Sequence, residues 1–450
     1  MKTKIILLLL LFPLLLSAQH IQRRGFFGAK TNNLNDSLKK VYKLTDTKGV
    51  IITEVLPNST ASSFKLEVND VIVSVNGLAT DNKKSFLSVI KNYRGNDEIK
   101  VEFFRQGKQK VISGKVIPMP LEVIEGAEVI YDEVPFMDGY LRLITSKPIG
   151  KGKFKSIFFI QGYTCAVMDN LDKHPYGLLI RGLNKLGYAV MRVEKPGMGD
   201  NFKTPDCDKI DYFTEVKAFS TGLEKLKTYD FADQDNVFIF GHSLGGLIAP
   251  VIASAVPVKG VVVCGTTVIS WYEYLLEMFR FQNIIAGADW VVNENLIKSM
   301  TPLLYELLIQ KKTPKEVALN ADYKKAMQEQ MEYDGDELLW GRNYKYWQQI
   351  QDLNLAEYWK NVSARVLVIR GTGDFEAFSD NEHKAIVNIV NNYHPGNALF
   401  ISIPNMDHAF AKSNTPAESY VNSKKKGYYF DLFNPAIYEQ LDKWIKDISK

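Results

Sequence analysis

The sequence predicts an α/β protein, with a mostly parallel eight-stranded sheet under a helical cap and a small β-rich domain in front of it. Three observations carry this expectation. From residue 121 onward, short runs rich in Val, Ile, Phe and Tyr alternate with helical stretches, the pattern of strands joined by crossover helices. Residues 25–118 have a different grain, with β-branched runs closely punctuated by turn residues. Between them in character, residues from about 268 to 364 have no strong strand pattern and read as a helical insertion.

The eight strands are expected at 128–134, 140–146, 156–161, 188–193, 236–240, 260–265, 365–370 and 399–403. The insertion falls between the sixth and seventh, where 271–281 and 295–311 are amphipathic at helical spacing. In the β-rich segment, Val50-Ile51-Ile52 and Val71-Ile72-Val73-Ser74-Val75 are strands, bounded by turns at Pro57-Asn58-Ser59 and Asn76-Gly77. Phe86, Leu87, Ile90 and Tyr93 recur at helical spacing and predict a helix over 84–93.

Composition sets the frame. At 450 residues, with 46% hydrophobic and 24% charged residues, the chain is long enough for two or more globular domains. A net charge of +4 is weak and dispersed, which gives no case for nucleic acid or an acidic membrane surface as partner. Lys2 and Lys4 precede an apolar run from Ile5 to Leu16, then Ser17-Ala18 and Gln19. That is the layout of an export leader, residues 1–18, cut after Ala18. The run would rise only about 18 Å as a helix, well short of a bilayer core. The mature protein is therefore expected to be exported, periplasmic or secreted, with no stable membrane span. Cys264 lies in an apolar run and reads as core. Cys165 and Cys207 each follow a predicted strand, and since those strands should be neighbours and the compartment oxidising, a disulfide between them is expected.

The strongest chemical signal is Asn236-Val237-Phe238-Ile239-Phe240-Gly241-His242-Ser243-Leu244-Gly245-Gly246, followed by the helical start Leu247-Ile248-Ala249. A Gly-x-Ser-x-Gly pentapeptide alone recurs by chance. Set between a strand and a helix it has the context of a nucleophile elbow, with Ser243 exposed on a strained turn. A serine hydroxyl needs a base to take its proton. Of six histidines, His20 precedes the folded region, His174 precedes the nucleophile and His242 sits within the elbow. His383 is on a helical stretch and His394 in an Asn- and Pro-rich turn, which leaves His408, just after the last strand. The acid belongs after the seventh strand, where Gly371-Thr372-Gly373 leads to Asp374, with Glu376 and Asp380 as competitors. The two oxyanion donors are expected at the N–H of Leu244 and, from the loop after the third strand, the N–H of Tyr163. No His/Cys cluster has metal-ligand spacing and no Gly-rich phosphate loop occurs, so no cofactor is expected.

Residues 121–450 thus resemble the α/β-hydrolase family, in particular its serine aminopeptidase-like and esterase-like members. Where relatives carry an Asp-x-x-Gly-x-Gly-x-Ser turn, this chain has Glu194-Lys195-Pro196-Gly197-Met198-Gly199-Asp200, a departure that removes any substrate inference from that loop. Residues 25–118 resemble a bacterial PDZ domain, on Gly25-Phe26-Phe27-Gly28-Ala29, Gly49-Val50-Ile51-Ile52 and Leu66-Glu67-Val68-Asn69-Asp70-Val71-Ile72. Asn69 stands where the pattern usually has Gly, and Asn is the next most tolerant of a left-handed backbone. The resemblance implies that Phe26, Phe27, Gly28 and Ala29 offer N–H groups to the C-terminal carboxylate of a peptide or protein. Three functions are compatible with these residues: an esterase working through an acyl-enzyme, a peptidase that captures C-termini through the PDZ unit, and a non-catalytic PDZ binding protein with a relic hydrolase domain. Five of the six tryptophans fall in the cap, as its core or as an aromatic pocket wall.

Overall fold

The computed structural model describes residues 20–42, 44 and 48–449. The leader expected at residues 1–18 lies outside them. The PDZ-like segment holds β1 (Ala29–Asn33), β2 (Val50–Val55), β3 (Val71–Val75), β4 (Leu78–Ala79), β5 (Glu98–Arg105) and β6 (Lys108–Lys115). They form one antiparallel sheet in the order β1-β2-β3-β5-β6, with β4 paired to β3. Val50, Ile52, Ile72, Val75 and Val101 alternate into its core against Phe86 of the helix Lys83–Ile90, which ends three residues before the expected Tyr93. Asn69 takes φ +78°, the left-handed turn that Asn tolerates next best after Gly.

The second sheet holds β7 (Ala127–Phe136), β8 (Gly139–Pro148), β9 (Phe154–Ile160), β10 (Ala189–Val193), β11 (Ala232–His242) and β12 (Gly260–Cys264), completed after a two-residue hairpin pair, β13 (Leu338–Leu339) and β14 (Arg342–Asn343), by β15 (Arg365–Gly371) and β16 (Ala398–Ile403). Its order is β16-β15-β12-β11-β9-β10-β8-β7. The six strands from β16 to β10 run parallel, and β8 and β7 close the edge antiparallel. β12 is buried at every residue, as a central parallel strand covered on both faces must be. On one face lie the helices Tyr212–Leu226 and Gly245–Ala253, and on the other Pro175–Lys185 and Ala436–Ile448.

The insertion is helical, led by Trp271–Ile285 and Trp290–Leu304, and Trp271, Trp347 and Trp359 pack onto the first of those faces. The hairpin β13–β14 is a correction to its strandless reading: two-residue strands are too short to leave a period in the sequence. A second correction concerns His20, which does not precede the folded region. Its ring stacks on Tyr140 at 4.0 Å and its Nδ1 lies 2.6 Å from Glu133 Oε1.

Cys165 and Cys207 are joined, with Cα atoms 5.8 Å apart and a sequence separation of 42. They tie the loops after β9 and β10, which pair in parallel. A closed loop of this size limits the unfolded chain by about 3–4 kcal/mol. A Cys165→Ser/Cys207→Ser variant is expected to show that loss as a lower urea midpoint, and an unchanged midpoint would contradict it.

The PDZ-like segment and the residues just before it are fastened to the large sheet's loops by half-buried arginines, two of them meeting the buried Asp169 and Asp200. Arg23 pairs with Asp169 at 2.9 Å and with Asp200, the Arg24 N–H donates to Asp200 at 2.9 Å, and Arg94 donates to the Asn201 carbonyl at 3.1 Å.

Candidate active site

The elbow between β11 and the helix Gly245–Ala253 holds Ser243 at φ +55°, a strained conformation for a residue with a side chain. Its N–H donates to the Cys264 carbonyl on β12 at 2.9 Å, which pins the turn to the neighbouring strand. The flanking glycines follow from contact distances. A Cβ on Gly241 would stand 2.4 Å from the Gly245 carbonyl oxygen, and one on Gly245 would stand 2.3 Å from that of Ile160. Any larger residue would push the helix off the strand and move Ser243.

The ends of β15 and β16 bring together Asp374 and His408. His408 Nδ1 lies 2.8 Å from Asp374 Oδ2, while Asp374 Oδ1 accepts the N–H groups of Glu376 and Ala377, each at 2.8 Å. Burial alone would raise the Asp374 carboxyl, but the His408 charge and these hydrogen bonds overcome it and hold it down at about 2. The His408 carbonyl accepts from His242 Nε2 at 2.9 Å, and His242 Nδ1 in turn takes the Tyr176 hydroxyl at 2.8 Å. Burial drives the His242 pKa far down, so this elbow histidine is a neutral strut under the His408 loop.

His408 Nε2 is buried without a hydrogen-bond partner among the described residues, and His408 lines the same cavity of about 410 Å³ as Ser243. Glu376 Oε2 stands 3.4 Å from that nitrogen. Burial lowers the imidazole, but Asp374 on one side and Glu376 on the other raise it to about 10. Of the two competitors for the acid position, Asp380 is taken up by Arg370 at 2.9 Å, and Glu376 reaches the opposite nitrogen from Asp374.

Tyr163 and Leu244 both line the cavity, and neither N–H has a hydrogen-bond partner among the described residues. The loop carrying Tyr163 is held from behind by two cations. Lys195 Nζ donates to the Gly162 carbonyl and Arg342 to the Tyr163 carbonyl, both at 2.6 Å. Glu215 joins them, at 2.9 Å from Lys195 and 2.7 Å from Arg342, with all three side chains buried. Sequence reasoning missed this triad. Its signal was the Glu194-Lys195-Pro196 departure: two charged residues at the end of a fully buried strand need partners. Of the cap tryptophans, Trp271, Trp340 and Trp347 line the cavity, Trp359 is core, and Trp290 is exposed.

At the PDZ-like segment one expectation needs correction. The Phe26 N–H is not free for a ligand, because it donates to the Ile117 carbonyl at 2.7 Å. Closure of the domain by the segment after β6 takes it. The N–H groups of Phe27 and Gly28 have no partner among the described residues, and Ala29 begins β1, paired with Val55. Phe27, Gly28 and Leu87 line a cleft of about 1090 Å³ whose other wall includes Met198 and Cys207 from the large domain.

Comparison with known proteins agrees with this architecture. The family model described as alpha/beta hydrolase family matches residues 162–418. The chain belongs to the alpha/beta hydrolase family. A PDZ domain model matches residues 25–116, so the hydrolase is one that carries a PDZ domain. Among curated proteins, a probable periplasmic serine protease do/HhoA-like of Haemophilus influenzae is 28% identical over 118 residues, 26% of this chain and 24% of that protein. Periplasmic serine endoprotease DegP of Escherichia coli is 29% identical over 87 residues, 19% of this chain and 18% of that one. The chain thus spans at most about a quarter of the length of these relatives. Among solved structures, Est1E from Butyrivibrio proteoclasticus covers 71% of this chain and 98% of its own at 14% identity, with a TM-score of 0.43. VinJ covers 71% and 99% at 16% identity, also with a TM-score of 0.43. No described helix is long and apolar enough to cross a membrane.

Proposed function

We propose that this chain is an exported serine hydrolase that cleaves carboxylic esters, with Ser243 as nucleophile, His408 as general base and Asp374 as its orienting acid. In this reading residues 1–18 are a leader, 25–118 the PDZ domain and 121–450 the catalytic domain with its cap at about 268–364. The observation that carries it is the convergence on one cavity of Ser243 in a left-handed turn and His408 paired to Asp374 through Nδ1. Ser243 Oγ adds to the ester carbonyl as His408 Nε2 takes its proton. The tetrahedral oxyanion lies against the N–H groups of Tyr163 and Leu244. Collapse breaks the ester C–O bond, His408 gives its proton to the departing alkoxide, and water repeats the sequence on the acyl-enzyme to release the acid. Reaction with a fluorophosphonate, followed by peptide mapping, tests the assignment. A single adduct on the Ser243 peptide is expected; a folded chain left unlabelled would sink it.

The base works only when neutral. With His408 held up near 10 by two carboxylates, kcat/KM for a neutral ester is expected to climb with pH well above 7. Glu376→Gln removes one of the two raising charges, so its rising limb is expected at lower pH. A limb that does not move would show that Glu376 does not act on His408.

The PDZ domain is proposed to dock peptide or protein C-termini, on the free N–H groups of Phe27 and Gly28 facing the cleft. That cleft's second wall, from the hydrolase domain, favours a second reading as a peptidase fed by the PDZ unit. The peptidase reading requires cleavage of a peptide acid that its C-terminal amide does not share.

A further inference from the structure

The cavity at Ser243 carries more negative charge than a triad needs. The charged residues lining it are Glu329, Glu376 and His408, and no Lys or Arg is among them. Glu376 is fixed there by its backbone: its N–H donates to Asp374, and its carbonyl accepts from the Tyr274 hydroxyl at 3.1 Å. Its side chain is 43% exposed and reaches to 3.4 Å from His408 Nε2.

That nitrogen is the one left over once Asp374 has taken Nδ1, so it is the one that must face the serine and then the leaving group. A carboxylate beside it stands where the leaving group departs. Asp374 already orients the ring, and Glu376 in the empty site competes for the proton that His408 has to exchange. The other ionisable groups around His408 are Asp374, Asp407 and the neutral His242, so the one cation within reach of Glu376 in the empty site is the His408 imidazolium itself, at 3.4 Å. Aromatic rings complete the surroundings. Tyr163 and Tyr274 lie close enough to Glu376 that its charge, after burial, helps to push both phenols up, and Tyr274 stacks on Trp271 at 4.7 Å. A carboxylate among electron-rich rings is the environment that holds an ammonium group.

We propose that Glu376, with Tyr163 and Tyr274, binds a cationic centre on the leaving group of the substrate, so that the preferred esters are those of amino alcohols. The inference rests on the ester-hydrolase reading of Ser243. A cation there would neutralise Glu376 and free His408 Nε2 for the serine proton, coupling specificity to activation.

The test compares butyrylcholine with its uncharged isostere 3,3-dimethylbutyl butyrate on the full chain, in wild type, Glu376→Gln and Glu376→Asp, with fluorophosphonate labelling run alongside. Wild type is expected to favour the cationic ester in kcat/KM by about tenfold or more, the scale of one partly desolvated charge contact. In Glu376→Gln the ratio should fall towards one, while Glu376→Asp should keep part of it. A ratio near one in wild type, or one that survives in Glu376→Gln, overturns the inference. So does a chain that labels at Ser243 yet leaves butyrylcholine intact. Loss of labelling and of both turnovers in a folded wild type would instead overturn the hydrolase reading beneath it.

Discussion

Replacing Ser243 by alanine is expected to abolish fluorophosphonate labelling and to lower kcat on any ester substrate by on the order of 10⁶-fold. The size of the effect follows from the geometry. Ser243 is the hydroxyl set at the tip of the elbow, held at φ +55° with its backbone bonded to Cys264, and it lines the same cavity as the unpartnered His408 Nε2. Without the hydroxyl no acyl-enzyme forms, and what remains is attack by water aided by the N–H groups of Tyr163 and Leu244. The variant should fold as well as wild type or slightly better, because alanine relieves neither the glycine contacts nor the β11–β12 pairing. Labelling that persists in the alanine variant would place the nucleophile elsewhere. Turnover that persists without labelling would mean that the activity does not pass through Ser243.

Much of this was legible in the sequence, and the reason is local. β9, β12 and β15 are short apolar runs ending near glycine or turn residues, so pattern and boundary nearly coincide, while β11 starts at Ala232, ahead of its apolar run, in a polar stretch that leaves no period. Gly241 was readable because the packing that requires it, against the Gly245 carbonyl, lies beside Ser243 in sequence, whereas Gly245 is required by Ile160 on β9 and was readable only through the motif. What stayed hidden depends on distant pairing. Nothing near Arg342 reveals that it reaches the Tyr163 carbonyl 179 residues away, or that it shares Glu215 with Lys195. Phe26 fits the PDZ motif, yet its N–H is consumed by Ile117 from the far end of the domain. Glu376 was weighed only as a substitute for Asp374, since sequence cannot tell which ring nitrogen of His408 a carboxylate will meet.

The buried triad of Lys195, Glu215 and Arg342 gives the largest expected effect on stability. Glu215→Leu would leave two cations without a carboxylate in a site where all three side chains are buried, Lys195 and Glu215 fully. Breaking one partner out of such a group costs about 3–5 kcal/mol, because the charges left behind keep their desolvation penalty and lose its compensation. Lys195→Met should cost less, since Glu215 keeps its bond to Arg342 at 2.7 Å. The two variants also differ in what they do to catalysis. Lys195 and Arg342 each hold a carbonyl of the 162–163 loop, so slackening them is expected to reduce kcat more than to raise KM, the mark of a donor misplaced for the oxyanion. Urea unfolding of wild type and both variants, with kcat and KM taken in the folded baseline, separates the two effects. A Glu215→Leu loss below about 1 kcal/mol would mean that water or a rearranged partner already serves these charges, and the cap hairpin carrying Arg342 would then be no brace for the loop.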